Sequence, residues 1–250
     1  MGLKLLINSF FSGGAERQFA ALAPLLPHDA LILLENETTQ APAGSRPVIL
    51  SSHGPSTPSI VKTAAIPSYA RQLAALTGPG DTVLSFMERA NMVNVLAARR
   101  SGHRAVICER TRPSGEFSGL RGALMRPLIK RLYPLADTIA VNSLGVKKDL
   151  EDNFSLPEGM MTLVRNGFDL SGIAAKAALP LDGPYTAVFK RPVVITSGRL
   201  TAAKGQWHLL RSFRKVKERR KDAALVLLGS GELGGYLQDL SRALGLKTFS

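Results

Sequence analysis

The sequence has one cysteine and one tryptophan in 250 residues, and it has no long apolar run. A single cysteine excludes an intrachain disulfide framework and is typical of a protein in a reducing cytosol. Cys108 lies in an apolar run, which predicts a core residue. No run approaches the roughly 20 apolar residues that span a bilayer, and the N-terminus is typical of a first strand, not of a signal peptide. These features predict a cytoplasmic globular protein.

Also absent are an Asp-x-Asp pair and a histidine cluster, which commonly hold catalytic metal ions. The sequence therefore predicts no metal cofactor. Positive charge is in excess, with 32 Lys and Arg against 19 Asp and Glu and a net charge of +13. Such a charge attracts nucleic acid, anionic lipid surfaces or phosphorylated small molecules. Because no helix-turn-helix, zinc-ligand or RNP pattern occurs, we expect no nucleic-acid partner.

Apolar segments that are typical of buried strands alternate with amphipathic helical patterns. The predicted strands cover residues 3–8, 30–34, 82–86, 104–108, 137–141, 162–164, 192–196 and 224–228, with a further short strand at 48–50. The predicted helices cover 14–26, 69–76, 89–100, 126–135, 144–153, 205–220 and 233–244. Continuous apolar strands separated by helices indicate parallel sheets covered on both faces. The predicted fold class is therefore α/β, with Rossmann-like, doubly wound domains.

The distribution of strands predicts two domains. Residues 1–170 hold most of them, and residues 171–190, with two prolines and little periodicity, are typical of a linker. Residues 191–250 hold two strands and the start of another at Thr248. Doubly wound nucleotide-binding domains usually have about six strands. We therefore expect this second domain to be incomplete.

Glycine-rich turns follow the first strands of both predicted domains. Gly13 and Gly14 lie between strand one and helix one. Glycine lets a ligand approach the backbone, and a first helical turn favours an anion, although a tight turn without a ligand gives the same pattern. Gly198, Arg199 and Lys204 follow the strand at 192–196. Arginine and lysine there are suited to a diphosphate, with solvated surface charges as the alternative.

A third such turn consists of Gly229, Ser230 and Gly231, directly after the last predicted strand. All three turns therefore lie at carboxyl ends of strands, where open α/β sheets bind ligands. This agreement favours a phosphate site over the alternatives. The spacing is not Gly-x-Gly-x-x-Gly, so a dinucleotide cofactor is not indicated.

Five segments stand in order along almost the whole chain. They are residues 13–17 (Gly-Gly-Ala-Glu-Arg), 136–143 (Ala-Asp-Thr-Ile-Ala-Val-Asn-Ser), 165–169 (Arg-Asn-Gly-Phe-Asp), 198–205 (Gly-Arg-Leu, then Lys-Gly) and 229–231 (Gly-Ser-Gly). Together they resemble the GT-B-fold glycosyltransferases of family 4, which are retaining and use sugar nucleotides. Residues 108–113 (Cys-Glu-Arg-Thr-Arg-Pro) are similar to the Ser-Glu-Arg-Asn-x-Pro stretch of members that extend lipid-linked oligosaccharides.

The resemblance implies a role for each matching residue. Gly13 and Gly14 would lie at an interdomain cleft and face the donor diphosphate. Arg199 and Lys204 would neutralise that diphosphate as the glycosidic bond breaks, so that no metal is needed. Residues 229–231 would approach the nucleotide, and a UDP- or GDP-sugar would be the donor.

The sequence departs from the family pattern in two places. Many members have a histidine close to the sugar, where this sequence has Glu109 and Arg110. These two residues contact donor or acceptor, or they form a plain salt bridge. His103, at the other end of that strand, is interpreted as a surface residue. The family's Glu-x7-Glu pair, which contacts sugar and ribose, is expected beyond Ser250, and this chain alone is then inactive.

Basic residues in the first domain are relevant to how the protein reaches its acceptor. Residues 99–131 hold nine Lys or Arg and two acids. A helical wheel places Leu124, Leu128 and Leu132 on one face, opposite basic residues such as Arg126. Such an element docks on an anionic membrane surface, or it is an ordinary surface helix that packs its leucines on the sheet.

These observations predict a retaining glycosyltransferase that moves a sugar from a nucleoside-diphosphate sugar to a glycan or lipid-linked acceptor. Cell-surface polysaccharide or lipopolysaccharide synthesis is the expected pathway. The expected location is the cytoplasm, at the inner face of the cell membrane. The alternative from another class is a catalytically inactive, truncated chain that binds a nucleotide or a glycan.

Overall fold

The computed structural model describes residues 2–11, 13–117, 119–183 and 185–246, with Leu120 described by its backbone alone. The strand predicted to start at Thr248 lies outside these residues. The chain separates into two compact units, Met1–Phe168 and Asp169–Ser250, which we call unit 1 and unit 2.

A seven-stranded parallel sheet forms the centre of the described part of unit 1. Its strands are β1 (Leu3–Ile7), β2 (Ala30–Leu33), β3 (Val48–Ile49), β4 (Thr82–Phe86), β5 (Arg104–Glu109), β6 (Thr138–Val141) and β7 (Met161–Leu163). They lie in the order β3-β2-β1-β4-β5-β6-β7, and all neighbouring pairs are parallel. The chain therefore winds outward from β1 in one direction and resumes at β4 on the other side of β1.

Helices cover both faces of this sheet. They are α1 (Gly14–Leu22), α2 (Ser59–Ala64), α3 (Ile66–Ala75), α4 (Glu88–Ser101), α5 (Pro113–Glu116), α6 (Gly119–Leu132) and α7 (Leu144–Phe154). Successive side chains of a strand point to opposite faces. Accordingly, Leu5 and Ile7 pack in one core with Phe19 of α1, whereas Leu6 packs in the other core with residues of α3 and α4. The predicted doubly wound arrangement is confirmed.

The predicted strands of both units are confirmed, each end falling within one residue of its expected position. Cys108 is buried, as expected. The helix predictions were less accurate, because α2 and α5 were missed and α6 begins at Gly119. Pro127, which indicated either a first helical turn or a kink, lies inside α6.

His103 is buried, and its interpretation as a surface residue is wrong. It follows the C-terminal end of α4 and immediately precedes β5, so both elements enclose its ring. Its Nε2 lies 2.9 Å from Asn94 Oδ1, and its Nδ1 lies 2.7 Å from Ser101 Oγ. Burial lowers the pKa of His103, which favours the neutral ring. The residue therefore stabilises the packing of α4 on the sheet.

The buried face of α6 also differs from the expected one. Met125 and Ile129 lie in the core, whereas Leu124 is 45% exposed. Leu128 and Leu132 are partly buried against the same core. The helix thus packs through a face turned by about one residue from the predicted leucine face. None of the described helices combines the length and the apolar character that crossing a bilayer requires.

The described part of unit 2 contains a parallel pair of strands, β8 (Val193–Ser197) and β9 (Ala224–Leu228). Its helices are α8 (Leu170–Ala177), α9 (Gln206–Arg219) and α10 (Gly234–Ala243). Leu210 and Phe213 of α9 and Leu237 of α10 form the core against the strands. Helix α8 lies in the segment that was predicted as a linker. Its N-cap is Asp169, whose Oδ1 accepts a hydrogen bond from the Gly172 N–H at 2.9 Å.

Candidate functional site

The carboxyl ends of β1 and β4 mark the point in unit 1 where the winding direction changes. Ligands of doubly wound sheets bind outside such a switch point. Met87, between β4 and α4, has a φ of 77°, a conformation that non-glycine residues adopt rarely. Asn8, directly after β1, holds the start of α4, because its Oδ1 accepts a hydrogen bond from the Ala90 N–H at 2.9 Å. The two loops at the switch point are therefore tied together.

Gly13 and Gly14 lie in the loop after β1, and the described chain does not itself require glycine at either position. Gly13 has an extended φ of −138°, which any residue adopts. The atoms nearest to a Cβ on Gly13 would be those of the Glu16 carboxylate, the end of a side chain that would have to move. A Cβ on Gly14 would meet no described atom within 4 Å. The structure therefore leaves open space above Gly14, at the first turn of α1.

Glu109, at the end of β5, is completely buried. Its Oε1 accepts hydrogen bonds from the backbone N–H groups of Arg110 at 2.9 Å and Thr111 at 3.1 Å. Its Oε2 accepts one from the Tyr133 hydroxyl at 2.7 Å. Desolvation by burial raises the pKa of Glu109 to about 8, with a further upward contribution from the nearby Glu88. Burial therefore favours the protonated form of Glu109.

A single hydroxyl group joins Glu109 to Glu88, the first residue of α4. Thr111 Oγ1 lies 3.1 Å from Glu88 Oε1 and 3.2 Å from Glu109 Oε1. Burial, followed by repulsion from Glu116, raises the pKa of Glu88 as well. A hydroxyl group has one proton to donate, so Thr111 can hydrogen-bond to both carboxyl groups at once only when one of them is protonated and donates to the Thr111 oxygen. Glu88 is the more accessible member of the pair.

Arg110 extends away from this pair toward the outside of unit 1. Its guanidinium lies 5.0 Å from the centre of the Phe86 ring and donates to Asn166 Oδ1. Burial lowers the pKa of Arg110, but the side chain stays charged because an arginine pKa starts above about 12. Of the two residues predicted near a sugar, Arg110 is thus partly accessible and Glu109 is enclosed.

The buried Glu109 gives a testable pH dependence. We expect Glu109→Gln to become more stable relative to wild type as the pH rises from 5 to 8, by about 2–4 kcal/mol. In this range a glutamate in the unfolded chain releases its proton, whereas the folded Glu109 retains it, so rising pH favours the unfolded state of the wild type. Above about pH 8 the glutamate is ionised in both the folded and the unfolded state, and the stability difference stops changing. Urea unfolding followed by far-UV circular dichroism measures the difference.

A matched control is Glu158→Gln, since the Glu158 carboxylate is 80% exposed. Its free energy of unfolding should stay parallel to that of wild type across the range. If Glu109→Gln also ran parallel to wild type between pH 5 and 8, the raised pKa of Glu109 would be wrong.

In unit 2, Arg199 and Lys204 lie on the loop between β8 and α9, and both side chains are exposed. The Lys204 stem passes over Gly198, because a Cβ there would lie 3.8 Å from Lys204 Cε. Within the described residues, neither cation has an acidic partner within 4 Å, whereas Arg214, Arg220 and Arg242 of unit 2 all do. The loop thus presents two unneutralised cations at the carboxyl end of β8.

The turn after β9 interlocks with this loop through its backbone. The Leu200 N–H donates to the Ser230 carbonyl at 2.9 Å, and the Leu233 N–H donates to the Leu200 carbonyl at 3.0 Å. A Cβ on Gly229 would lie 2.9 Å from the Gly198 carbonyl carbon, and one on Gly231 would lie 2.8 Å from the Leu200 nitrogen. Both glycines are therefore required by the approach of their own chain.

The structure brings Gly198, Arg199, Lys204 and residues 229–231 together at one edge of the β8–β9 pair. Gly13, Gly14, Glu109 and Arg110 lie at the carboxyl edge of the unit 1 sheet. Among the described residues, no group of three or more His, Cys, Asp or Glu is arranged to hold a metal ion.

The sequence analysis did not predict a cluster of charged residues around Glu35, which lies shortly after β2. Glu35 is buried and accepts hydrogen bonds from Lys62 Nζ at 2.6 Å and from the Arg89 guanidinium. It also missed Glu88 and Gln206, a buried residue beside Arg199. For Glu88 a signal existed, since it is a polar residue that closely follows an apolar strand.

Solved structures resemble this chain over nearly its whole length. HepE of Anabaena in complex with UDP-glucose covers 99% of the chain, with a TM-score of 0.71 and 17% identity, and the match spans 67% of that protein. The trehalose-6-phosphate synthase OtsA covers 98%, with a TM-score of 0.66, 13% identity and 69% of its own chain matched. These identities are low, so the two structures show the fold.

Sequence comparison goes further. Residues 185–248 match the family described as glycosyl transferases group 1. The chain is 32% identical over 255 residues to N-acetylgalactosamine-N,N'-diacetylbacillosaminyl-diphospho-undecaprenol 4-alpha-N-acetylgalactosaminyltransferase of Campylobacter jejuni, covering 98% of the chain and 67% of that enzyme. The chain belongs to the GT-B glycosyltransferases.

A glycosyltransferase of Methanocaldococcus jannaschii, described as uncharacterized, is 36% identical over 130 residues, or 52% of this chain and 32% of that protein. This glycosyltransferase chain therefore spans about a third of one relative's length and two thirds of the other's. The group 1 match contains both loop cations, Arg199 and Lys204, and the turn at 229–231.

Proposed function

We propose that the whole protein transfers a hexosyl group, with retention and without a metal ion, from a UDP- or GDP-sugar to a lipid-linked or glycan acceptor. The observation that carries the proposal is the pair of exposed cations, Arg199 and Lys204, without acidic partners in the described chain. They lie at the carboxyl end of a parallel strand inside the segment that matches glycosyl transferases group 1.

The donor diphosphate is the proposed ligand of these cations. When the sugar leaves, negative charge grows on the diphosphate, and fixed cations stabilise that charge more strongly than they stabilise the ground state. Two side chains that already carry positive charge supply this stabilisation without a metal ion. UDP-glucose in the Anabaena structure supports a nucleoside-diphosphate sugar as donor.

A lipid-linked acceptor is supported by the name of the Campylobacter relative, which contains a diphospho-undecaprenol group. Retention is supported by the alpha linkage in the same name, because transfer from an alpha-linked sugar nucleotide to an alpha-linked product keeps the anomeric configuration. Synthesis of a cell-surface polysaccharide or lipopolysaccharide is the pathway consistent with such an acceptor.

Helix α6 supports a peripheral membrane position. It carries Arg121, Arg126, Lys130 and Arg131, all of them exposed, and helical spacing places Arg121 and Arg131 on the side of the exposed Leu124. Basic residues next to an apolar side chain favour the surface of an anionic bilayer, where each contributes on the order of 1 kcal/mol. The proposed location is the cytoplasmic face of the cell membrane.

Sugar transfer by the full-length protein tests the proposal. We expect release of UDP or GDP from a matching sugar nucleotide when a polyprenyl-diphosphate glycan is present, with activity retained in EDTA and higher in anionic than in zwitterionic vesicles. The anomeric configuration of the product, read by NMR, tests retention. Nucleotide binding without turnover would favour the non-catalytic alternative, and loss of activity in EDTA would contradict metal independence.

A further inference from the structure

Gln206 begins helix α9 and lies directly behind the loop that carries the two cations. Its side chain is buried, with 6% exposure. Its Nε2 donates a hydrogen bond to the Arg199 carbonyl oxygen at 2.9 Å. Because a backbone carbonyl only accepts hydrogen bonds, the amide nitrogen must face it, and the orientation of the carboxamide follows. Gln206 thus joins the start of α9 to the peptide group that follows Arg199.

The backbone around Arg199 is held from several sides. The Gly198 N–H donates to the Leu228 carbonyl at 2.9 Å, and the Leu200 N–H donates to the Ser230 carbonyl at 2.9 Å. The Arg199 carbonyl accepts from the Thr201 N–H at 3.0 Å in addition to the Gln206 amide. Gln206 therefore adds a side-chain hydrogen bond to the Arg199–Leu200 peptide group, which two backbone hydrogen bonds also hold.

The other end of the Gln206 side chain is unsatisfied. Within the described residues, its Oε1 is buried and has no hydrogen-bond partner. A buried acceptor without a donor costs stability, and an apolar side chain of the same shape would avoid that cost. For stability alone, methionine would therefore suit this position better than glutamine. The hydrogen bond to Arg199 is the interaction that an apolar side chain does not provide.

We propose that Gln206 is a positioning residue, which orients Arg199 toward the donor diphosphate through its hydrogen bond to the Arg199 carbonyl. This inference rests on the proposed function, in which Arg199 binds that diphosphate. Since a misdirected arginine loses its two-point contact with phosphate oxygens, donor affinity and turnover fall together when the hydrogen bond is removed.

The test compares Gln206→Met with wild type in the full-length protein. We expect about 10-fold weaker binding of UDP or GDP, whichever the wild type binds, and unchanged binding of the corresponding nucleoside, which lacks phosphates. Denaturant unfolding followed by far-UV circular dichroism should show equal or higher stability. The matched control is Gln238→Met, at an exposed glutamine of α10, which should change neither property.

A double-mutant cycle with Arg199→Ala separates positioning from a general structural effect. If Gln206 acts through Arg199, Gln206→Met should weaken diphosphate binding in the wild-type background and have no further effect in the Arg199→Ala background. Additive effects, or equal losses for the diphosphate and the nucleoside, would overturn the inference. If wild type bound neither UDP nor GDP, the proposed function would fail and this inference with it. Normal wild-type binding with normal Gln206→Met binding would overturn the inference alone.

Discussion

Replacing Arg199 or Lys204 by alanine is expected to lower turnover about 100- to 1,000-fold, while the free energy of unfolding changes by no more than about 0.5 kcal/mol. Both side chains are exposed, and neither has an acidic partner among the described residues, so their removal leaves no buried charge behind. Their proposed role is to neutralise the negative charge of the donor diphosphate. Steady-state kinetics of the full-length enzyme and denaturant unfolding measure the two quantities.

Arg211→Ala and Lys215→Ala are matched controls, because both cations are exposed on α9 but lie away from the carboxyl edge of the strands. They remove the same charge from the same unit and should retain near wild-type turnover. Arg199→Lys should fall between wild type and Arg199→Ala, since lysine keeps the charge but loses the planar, two-point contact. Wild-type turnover by both alanine variants would remove these residues from the diphosphate site.

The fold of this chain was largely predictable because its strands are apolar throughout, and the inner strands of the unit 1 sheet are buried between helices on both faces. A parallel strand covered by helices has a continuous apolar sequence, so each strand was located to within one residue. Short helices lack such a signal. Helix α5 spans four residues, and α8 lies in a segment with little apolar periodicity. His103 was misjudged because its burial depends on α4, which precedes it in the chain and folds back over β5.

The candidate site was predictable where it consists of local motifs. Arg199, Lys204 and the glycine turns stand next to strands, and the position after a strand is itself the signal. The link from Glu88 through Thr111 to Glu109 and the hydrogen bond from Gln206 to the Arg199 carbonyl join different elements. They depend on how α4 and α9 pack on their sheets, and single-sequence patterns do not contain that information. The glycine turns also looked alike in sequence, although the structure shows that glycine is needed at Gly229 and Gly231 to avoid overlap with the chain itself, whereas Gly14 faces open space.

Alanine at two of these glycines should produce opposite results. Gly229→Ala is expected to lower the stability of unit 2 by about 2–4 kcal/mol, because its φ of 145° is unfavourable for alanine and the added Cβ would overlap the Gly198 carbonyl group. Gly14→Ala is expected to leave stability equal or slightly higher, since alanine favours a helix and the Cβ meets no described atom within 4 Å. Turnover should nevertheless fall at least about 10-fold, because the family resemblance implies that the backbone at Gly14 faces the donor diphosphate and the methyl group would stand in its way.

Fluorescence of Trp207 follows the unfolding of unit 2, whose core the indole contacts, and far-UV circular dichroism follows the whole chain. A single pair of variants thus separates a glycine needed by the fold from one needed by a ligand. Stability loss in Gly14→Ala would show that its loop is crowded by the protein itself. Full activity in Gly14→Ala would exclude close approach of substrate at that position. An unchanged Trp207 transition in Gly229→Ala would contradict the interlocked turns, and the loop that carries Arg199 would then need a different support.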